Sequence, residues 1–288
     1  MTTPAKIAVL GSVNLDFVIR TTRLPTAGET VSGGSFFTTP GGKGGNQALA
    51  ARLLGADVAL HACVGRDAFA DEALANLAAA GVDLSALVYT DAAKTGAAFI
   101  NVDEAAENQI AVASGTNALL SPDKAPQIEA DWIITQLEIH PDTILTAAQK
   151  SSAKLCINAA PVRPLPDALL QRADLIVVNE IEHESYAAQL QALGCLVALT
   201  LGAKGAQLLR QGAVLAAADA PKVEAIDTTG AGDSFVAALT VFLAEGMAPE
   251  AALTAACHCG GLATTQLGAQ AGTPTRAALQ AAYPHLNL

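Results

Sequence analysis

The 288-residue sequence predicts an α/β fold: a mostly parallel central sheet flanked by helices, with a small β-sheet lid set apart from it. Three observations lead there. After Ser121-Pro122, apolar runs of strand length alternate with helix-length stretches, the rhythm of a βα-wound sheet. Polar residues gather just past those runs, at Glu138, Asn158, Asn179, Glu182 and Thr200, where an open parallel sheet carries its ligand crevice. Two other β-like stretches, about 14–39 and 96–113, interrupt the rhythm and supply strands for the lid. No linker, internal repeat or low-complexity tract divides the chain, so residues 1–288 are expected to form a single α/β domain carrying that lid.

Lys6–Gly11 is apolar enough for a buried first strand. Ser12–Ile19 continues with period-two alternation, which puts Asn14 and Asp16 on one face. Those side chains either meet solvent or hydrogen-bond a polyol, since an amide and a carboxylate donate to and accept from adjacent hydroxyls. Glu29–Thr39 reads as a second β stretch, leading into Pro40-Gly41-Gly42-Lys43-Gly44-Gly45-Asn46-Gln47 and a helix over Ala48–Leu54 that Gly55 closes. Val58–Val64 is the next strand, and Asp67–Ala80 a helix ended by Gly81. Gly96–Val102 and Gln109–Val112 flank the turn Asp103–Asn108 as a hairpin. Strands follow over Asp131–Leu137, Lys154–Asn158, Leu175–Val178 and Cys195–Thr200. Between them lie helices over Asp142–Ser151, Pro166–Ala173 and Ile181–Leu193. A β-like run, Val223–Ile226, precedes Asp227-Thr228-Thr229-Gly230-Ala231-Gly232-Asp233 and an amphipathic helix over Ser234–Glu245, which Gly246 ends.

The net charge of −11, without a basic run or interleaved aromatic and basic residues, argues against a nucleic-acid partner. Apolar stretches break well before the ~20 positions a membrane helix needs, and no membrane partner is expected. Met1–Lys6 enters a strand at once, without the apolar core of a signal peptide, so a cytoplasmic enzyme is expected. Cys63, Cys156, Cys195, Cys257 and Cys259 are scattered through apolar runs. Cys257-His258-Cys259 lacks a second ligand pair, so these read as structural thiols.

Two glycine-rich turns carry the chemistry. The first fails the P-loop pattern, because Gly44 stands where Ser or Thr must follow Gly-Lys. What remains is a backbone free to approach a ligand closely, with Asn46 at the start of the helix. The second, Gly230–Asp233, is either a plain helix cap or an anion site built from amides and a helix dipole, with Asp233 placed to take a proton. A dinucleotide-dependent oxidoreductase requires Gly-x-Gly-x-x-Gly after the first strand, and Gly11-Ser12-Val13-Asn14 does not supply it.

Taken in order, these motifs resemble the PfkB family of carbohydrate kinases, and within it the ribokinase branch. Gly41–Ala48 is similar to the family's N-terminal sugar signature and Asp227–Asp233 to its C-terminal signature. Asn179-Glu180-Ile181-Glu182 resembles its Asn-x-x-Glu motif, and Thr200–Gly205 its nucleotide loop. Gly115–Pro122, Asn158–Pro161 and Gly268-Ala269-Gln270 are similar to further ribokinase stretches. The resemblance implies transfer of the ATP γ-phosphoryl group to the primary hydroxyl, O5, of D-ribose, or to a nucleoside, fructose or deoxy-sugar. Asp233 would be the base, with Gly230, Ala231 and Gly232 as its anion hole. Asn14, Asp16, Gly42, Lys43, Asn46, Glu138 and Asp233 would hold the sugar. Asn179, Glu182, Thr200, Gly202, Gly205 and Gly232 would serve the nucleotide, with Mg2+ reached through water from Glu182. Asp227, Thr229, Ala263 and Gly268 would hold a monovalent cation, K+. Departures are Gly45 and Gly272, where Ala and Ser are commoner, Gln266 for Arg, and a shortened segment between Glu182 and Thr200. Exposed lid edges lead to the expectation of a homodimer joined through the lid.

Overall fold

The computed structural model describes residues 3–105 and 107–288, so Ala106 in the predicted hairpin turn lies outside the described residues. In chain order come β1 (Lys6–Leu10), β2 (Asn14–Arg20), β3 (Ser35–Gly41), α1 (Lys43–Leu53), β4 (Asp57–His61), β5 (Cys63–Gly65), α2 (Ala68–Ala80), β6 (Val88–Thr90), β7 (Gly96–Val102) and β8 (Asn108–Ala113). After two 3-10 turns, Gly115–Leu119 and Pro122–Lys124, follow β9 (Trp132–Gln136), α3 (Pro141–Gln149), β10 (Lys154–Asn158), α4 (Asp167–Arg172), β11 (Leu175–Asn179), α5 (Glu180–Ser185), α6 (Ala187–Gln191) and β12 (Leu196–Thr200). The chain ends with β13 (Ala206–Arg210), β14 (Ala213–Ala218), α7 (Ala231–Ala244), α8 (Pro249–Ala263) and α9 (Arg276–Ala282).

An eight-stranded sheet in the order β14-β13-β12-β11-β10-β9-β1-β4 forms the centre, parallel from β4 to β12 and antiparallel over the last two pairings. Alternation along each strand sorts side chains between two layers. Ile7, Val9, Ile134, Cys156 and Val177 pack with Ala48, Leu239 and Phe242 from α1 and α7. Ala8, Leu10, Ile133, Leu155 and Ile176 pack with Ile144 and Leu169 from α3 and α4. Burial of each such large aliphatic or aromatic side chain contributes about 1.5–3 kcal/mol, which is why both helical layers stay on the sheet.

A second sheet, β3-β2-β7-β8, stands apart and is built from the two stretches that broke the rhythm. On its rear face Phe17 stacks with Phe99 and meets Phe69 of α2 edge-on, which fixes the sheet to the body. On its other face Asn14 and Asp16 share a row with Val18, Ile100 and Ile110.

Several predicted boundaries move. α1 begins at Lys43, not Ala48, because Gly44 packs where a Cβ would come within 2.5 Å of the Ser12 backbone. Low helix propensity signalled a loop there, and close packing overrides it. β3 starts at Ser35 rather than Glu29. The run Val58–Val64 divides at Ala62, β4 staying in the main sheet while β5 pairs with β6. The helix expected over Ile181–Leu193 breaks at Tyr186, whose ring turns inward and whose hydroxyl bonds the Arg163 backbone. Val223–Ile226 is not a strand, and the hairpin β13–β14 was not foreseen.

Candidate active site

Asp233 lies in the first turn of α7, buried, at the carboxyl end of the central sheet. Gly230 makes the turn possible: its φ is 79°, and a Cβ there would come 2.5 Å from the Ala269 carbonyl oxygen. The turn closes with the Ala231 amide donating to Thr228 O at 3.2 Å. The Ala231 N–H, expected in the anion hole, is directed at this carbonyl. Among the described residues the amides of Gly230, Gly232 and Asp233 have no protein acceptor. Space around Gly232 is open, so its amide and the positive end of α7 face the cavity.

Two amides hold the Asp233 carboxylate. Asn46 Nδ2 donates to Oδ2 and Gln47 Nε2 to Oδ1, both at 2.9 Å. Asn46, expected to face the sugar, thus spends one donor on Asp233 and its oxygen on Gln270. Sequence reasoning missed Gln47, because its partner lies 186 positions away.

The expected sugar residues converge. Glu138 accepts from Ser12 Oγ and from the Lys43 amide, and so ties β9 to the start of α1. Asn14 Oδ1 accepts from Asn117 Nδ2 at 2.8 Å, and Asn117 is anchored in turn on the Val13 backbone. Gly42, with φ 82°, brings α1 against Asn14, where a Cβ would lie 2.7 Å from its amide nitrogen. Asp16 is 8% exposed and its Oδ1 has no partner. Burial, then the nearby charges of Glu138 and Asp233, push its carboxyl up to about 7. Solvation of Asn14 and Asp16, the blander of the two sequence readings, does not occur. A buried unpaired carboxylate fits a ligand that brings hydroxyl donors.

Beside Asp233 opens a polar cavity of ≈ 220 Å³, lined in part by Lys43, Asn158, Asn179, Glu182, Gly230 and Asp233. The carboxylate of Asp233 raises the Lys43 pKa against the opposing effect of burial, with Glu138 and Glu182 adding to the rise. Glu182 and Asn179 form a reciprocal capping box at the start of α5. Burial raises the Glu182 carboxyl despite the Asn179 amide and Lys43.

A second cavity of ≈ 300 Å³ shares Thr200, Thr228 and Gly232 with the first and continues past Gly202, Ala203 and Gly205. Its walls are largely apolar, from Pro221, Val223, Ala225, Phe235, Cys257 and Gly260. Gly205 also has a packing role, because a Cβ there would overlap the Ala218 carbonyl. The wall from Val223 to Ala225 explains an apolar run that is no strand. All five cysteines are free, and burial pushes the Cys156, Cys257 and Cys259 thiols up to about 12, so they stay protonated.

The four residues expected at a cation meet behind this turn. Asp227 accepts from the Thr229 amide (2.9 Å) and the Gly268 amide (2.8 Å). Burial pushes its carboxyl up, but those hydrogen bonds outweigh it and hold the group below its ordinary value. Gly272 donates to Gly268 O, and a Cβ on Gly272 would overlap the Ala263 carbonyl oxygen. Position 272 thus offers no side-chain hydroxyl beside these residues. Among the described residues no cluster of three or more His, Cys, Asp or Glu side chains forms a dedicated divalent cage.

The pfkB family carbohydrate kinase model matches residues 4–276. Ribokinase of Bacillus subtilis (strain 168) is 38% identical over 283 residues, covering 94% of this chain and 96% of its own. Ribokinase from Thermotoga maritima has a solved structure similar to this chain at TM-score 0.86 and 29% identity, over 96% of this chain and 98% of that one. Arabidopsis thaliana ribokinase, solved in complex with ribose and ATP, has TM-score 0.86 at 26% identity, over 97% of this chain and 98% of its own.

Proposed function

The chain belongs to the pfkB family of carbohydrate kinases, and we propose that it phosphorylates D-ribose at O5 with ATP, giving ribose 5-phosphate and ADP. The observation that carries this reading is the pairing of a buried, amide-held carboxylate with open helix-start amides where two cavities join. Ribose occupies the Asn14–Asp16–Glu138 side, and its hydroxyls supply the donors that Asp16 Oδ1 lacks. Adenine fits the apolar cavity beyond Thr200, and the phosphates pass Gly232.

Asp233 takes the O5 proton as that oxygen attacks the γ-phosphorus in line, while the bond to the ADP oxygen breaks. General-base help of this kind typically contributes ~10²–10⁴-fold. The Gly230 and Gly232 amides, the α7 dipole and Lys43 meet the charge on the transferring group. The donor set fits Mg2+ held chiefly by phosphates and water, with Glu182 in the outer shell; when bound, it neutralises phosphate charge. K+ would sit on Asp227 and the Thr229, Ala263 and Gly268 carbonyls, behind the anion site. The small sheet acts as a lid that closes over ribose and excludes water as a competing acceptor. The protein works as a homodimer through that lid and in the cytoplasm. Among the described residues no helix is long and apolar enough to cross a membrane.

A coupled ATP-consumption assay over ribose, deoxyribose, fructose and nucleosides tests the reading. Ribose should give the highest kcat/KM, EDTA should abolish turnover, and Asp233→Asn should keep the fold while losing nearly all activity. A preference for a nucleoside would overturn the substrate assignment, and wild-type turnover in Asp233→Asn would overturn the base.

A further inference from the structure

Asp233 is the meeting point of two strings of side-chain amides. In one, Asn76 Nδ2 donates to Gln270 Oε1 (3.0 Å), Gln270 Nε2 to Asn46 Oδ1 (3.1 Å), and Asn46 Nδ2 to Asp233 Oδ2 (2.9 Å). In the other, Gln136 Nε2 donates to Gln47 Oε1 (2.5 Å), and Gln47 Nε2 to Asp233 Oδ1 (2.9 Å). The members come from α1, α2, β9 and the loop after α8.

A primary amide has one donor end and one acceptor end, whereas an ionised carboxylate only accepts. The carboxylate therefore turns each neighbouring amide NH2 toward itself, and each of those amides orients the next. The second string ends on an acceptor with nothing to accept from: Gln136 Oε1 is buried and unpartnered. Such an orphan opposes folding, yet the backbone leaves room for it. A Cβ on Gly11 would overlap that oxygen, so the glycine ending the first strand accommodates Gln136.

We propose that Gln47 and Gln136, together with Gln270 and Asn76 behind Asn46, are positioning residues that keep the Asp233 carboxylate ionised and aimed for proton transfer. This rests on the reading of Asp233 as the base. Once Asp233 takes the ribose proton, one of its oxygens becomes a donor facing an amide NH2, and a hydrogen bond is lost. The strings thus resist protonation before transfer and favour release of the proton afterwards. The charged groups coupled to Asp233 are Lys43 from α1 and Asp16 from β2, and Glu138 beyond β9 is coupled to both of them.

The test compares kcat and KM between about pH 5 and 9 for Gln47→Leu, Gln136→Leu, their double variant, Gln47→Glu and Asn76→Ala in the full chain. Each leucine variant should lower kcat with KM for ribose and ATP little changed. The acid limb of kcat should move upward by about one to two pH units, the loss of one hydrogen bond to a charged group. The double variant should be no worse than Gln47→Leu, because both members act through one string. Gln47→Glu, nearly the same shape, should move the limb further by making two carboxylates share a proton. Asn76→Ala, at an exposed helix position that leaves folding intact, should give a smaller shift in the same direction. Acid limbs unmoved in the folded variants, or additive leucine effects, would overturn the proposal. Should both leucine variants fail to fold, Gln47→Glu and Asn76→Ala decide in the same way. An inactive Asp233→Asn with unmoved limbs overturns only the positioning role, whereas an active Asp233→Asn overturns the base.

Discussion

Asp16 links the site to pH. Its carboxyl is raised from 3.8 to about 7 by burial, then by Glu138 and Asp233. In the window between those values the folded chain binds more protons than the unfolded one, so stability falls as pH rises through it. Above about pH 7 the full cost of an ionised, buried Asp16 is present. Asp16→Asn should then stabilise the ribose-free protein at pH 8 by roughly 2–4 kcal/mol while removing ribose binding. In the proposed pose ribose hydroxyls donate to the charged form and restore it, so ribose binding should release a fraction of a proton near pH 6.5. Calorimetric titrations in buffers of different ionisation enthalpy measure this directly. Zero proton release, or an unchanged denaturation midpoint for Asp16→Asn at pH 8, would contradict the account.

Among the elements, the small sheet makes the sharpest prediction. Ile110 and Val112 are each 57% exposed, and register places them in rows with Ile100 and Ala98, on the face that carries Asp16. β8 is an open edge with every residue exposed. An apolar face and a free edge together fit a second copy of the same sheet. Ile110→Lys with Val112→Lys should shift the protein to monomer in sedimentation velocity and raise KM for ribose, because the lid then closes without support. A wild-type chain that is monomeric at micromolar concentration would refute the lid dimer. The sequence showed these strands because interruptions of a βα rhythm are visible without coordinates, and β10 is read to the residue at Lys154–Asn158. It hid β13 and β14, because β13 is a short Ala-Gln-Leu-Leu-Arg run and β14 an alanine-rich one, and neither carries a clear period. It also hid the start of α1, because glycines that permit close packing look the same as glycines that permit a loop. Asp233 was legible from its neighbours in the chain, but Gln47 and Gln136 were not. Their value arises only where residues 89 and 186 positions apart meet.

At the scale of the whole molecule, the net charge of −11 works against two anionic reactants, ATP and its product. Attraction is therefore local: Lys43 and the open amides act over a few ångströms, inside the range that salt screens poorly. The sheet that places them is wound so that strand ends, glycine turns and both cavities share one rim. Position 272 shows how far such packing reaches. With glycine there, the carbonyl oxygen of Ala263 lies 2.1 Å from where a Cβ would sit. A side chain introduced at 272 finds no space unless that carbonyl moves. Gly272→Ser should therefore lower the melting temperature, by the 1–3 kcal/mol typical of overpacking, and should not sharpen the response to K+. A thermal scan beside a potassium titration reads both outcomes. A hydroxyl-bearing side chain at position 272 therefore requires the end of α8 to repack first.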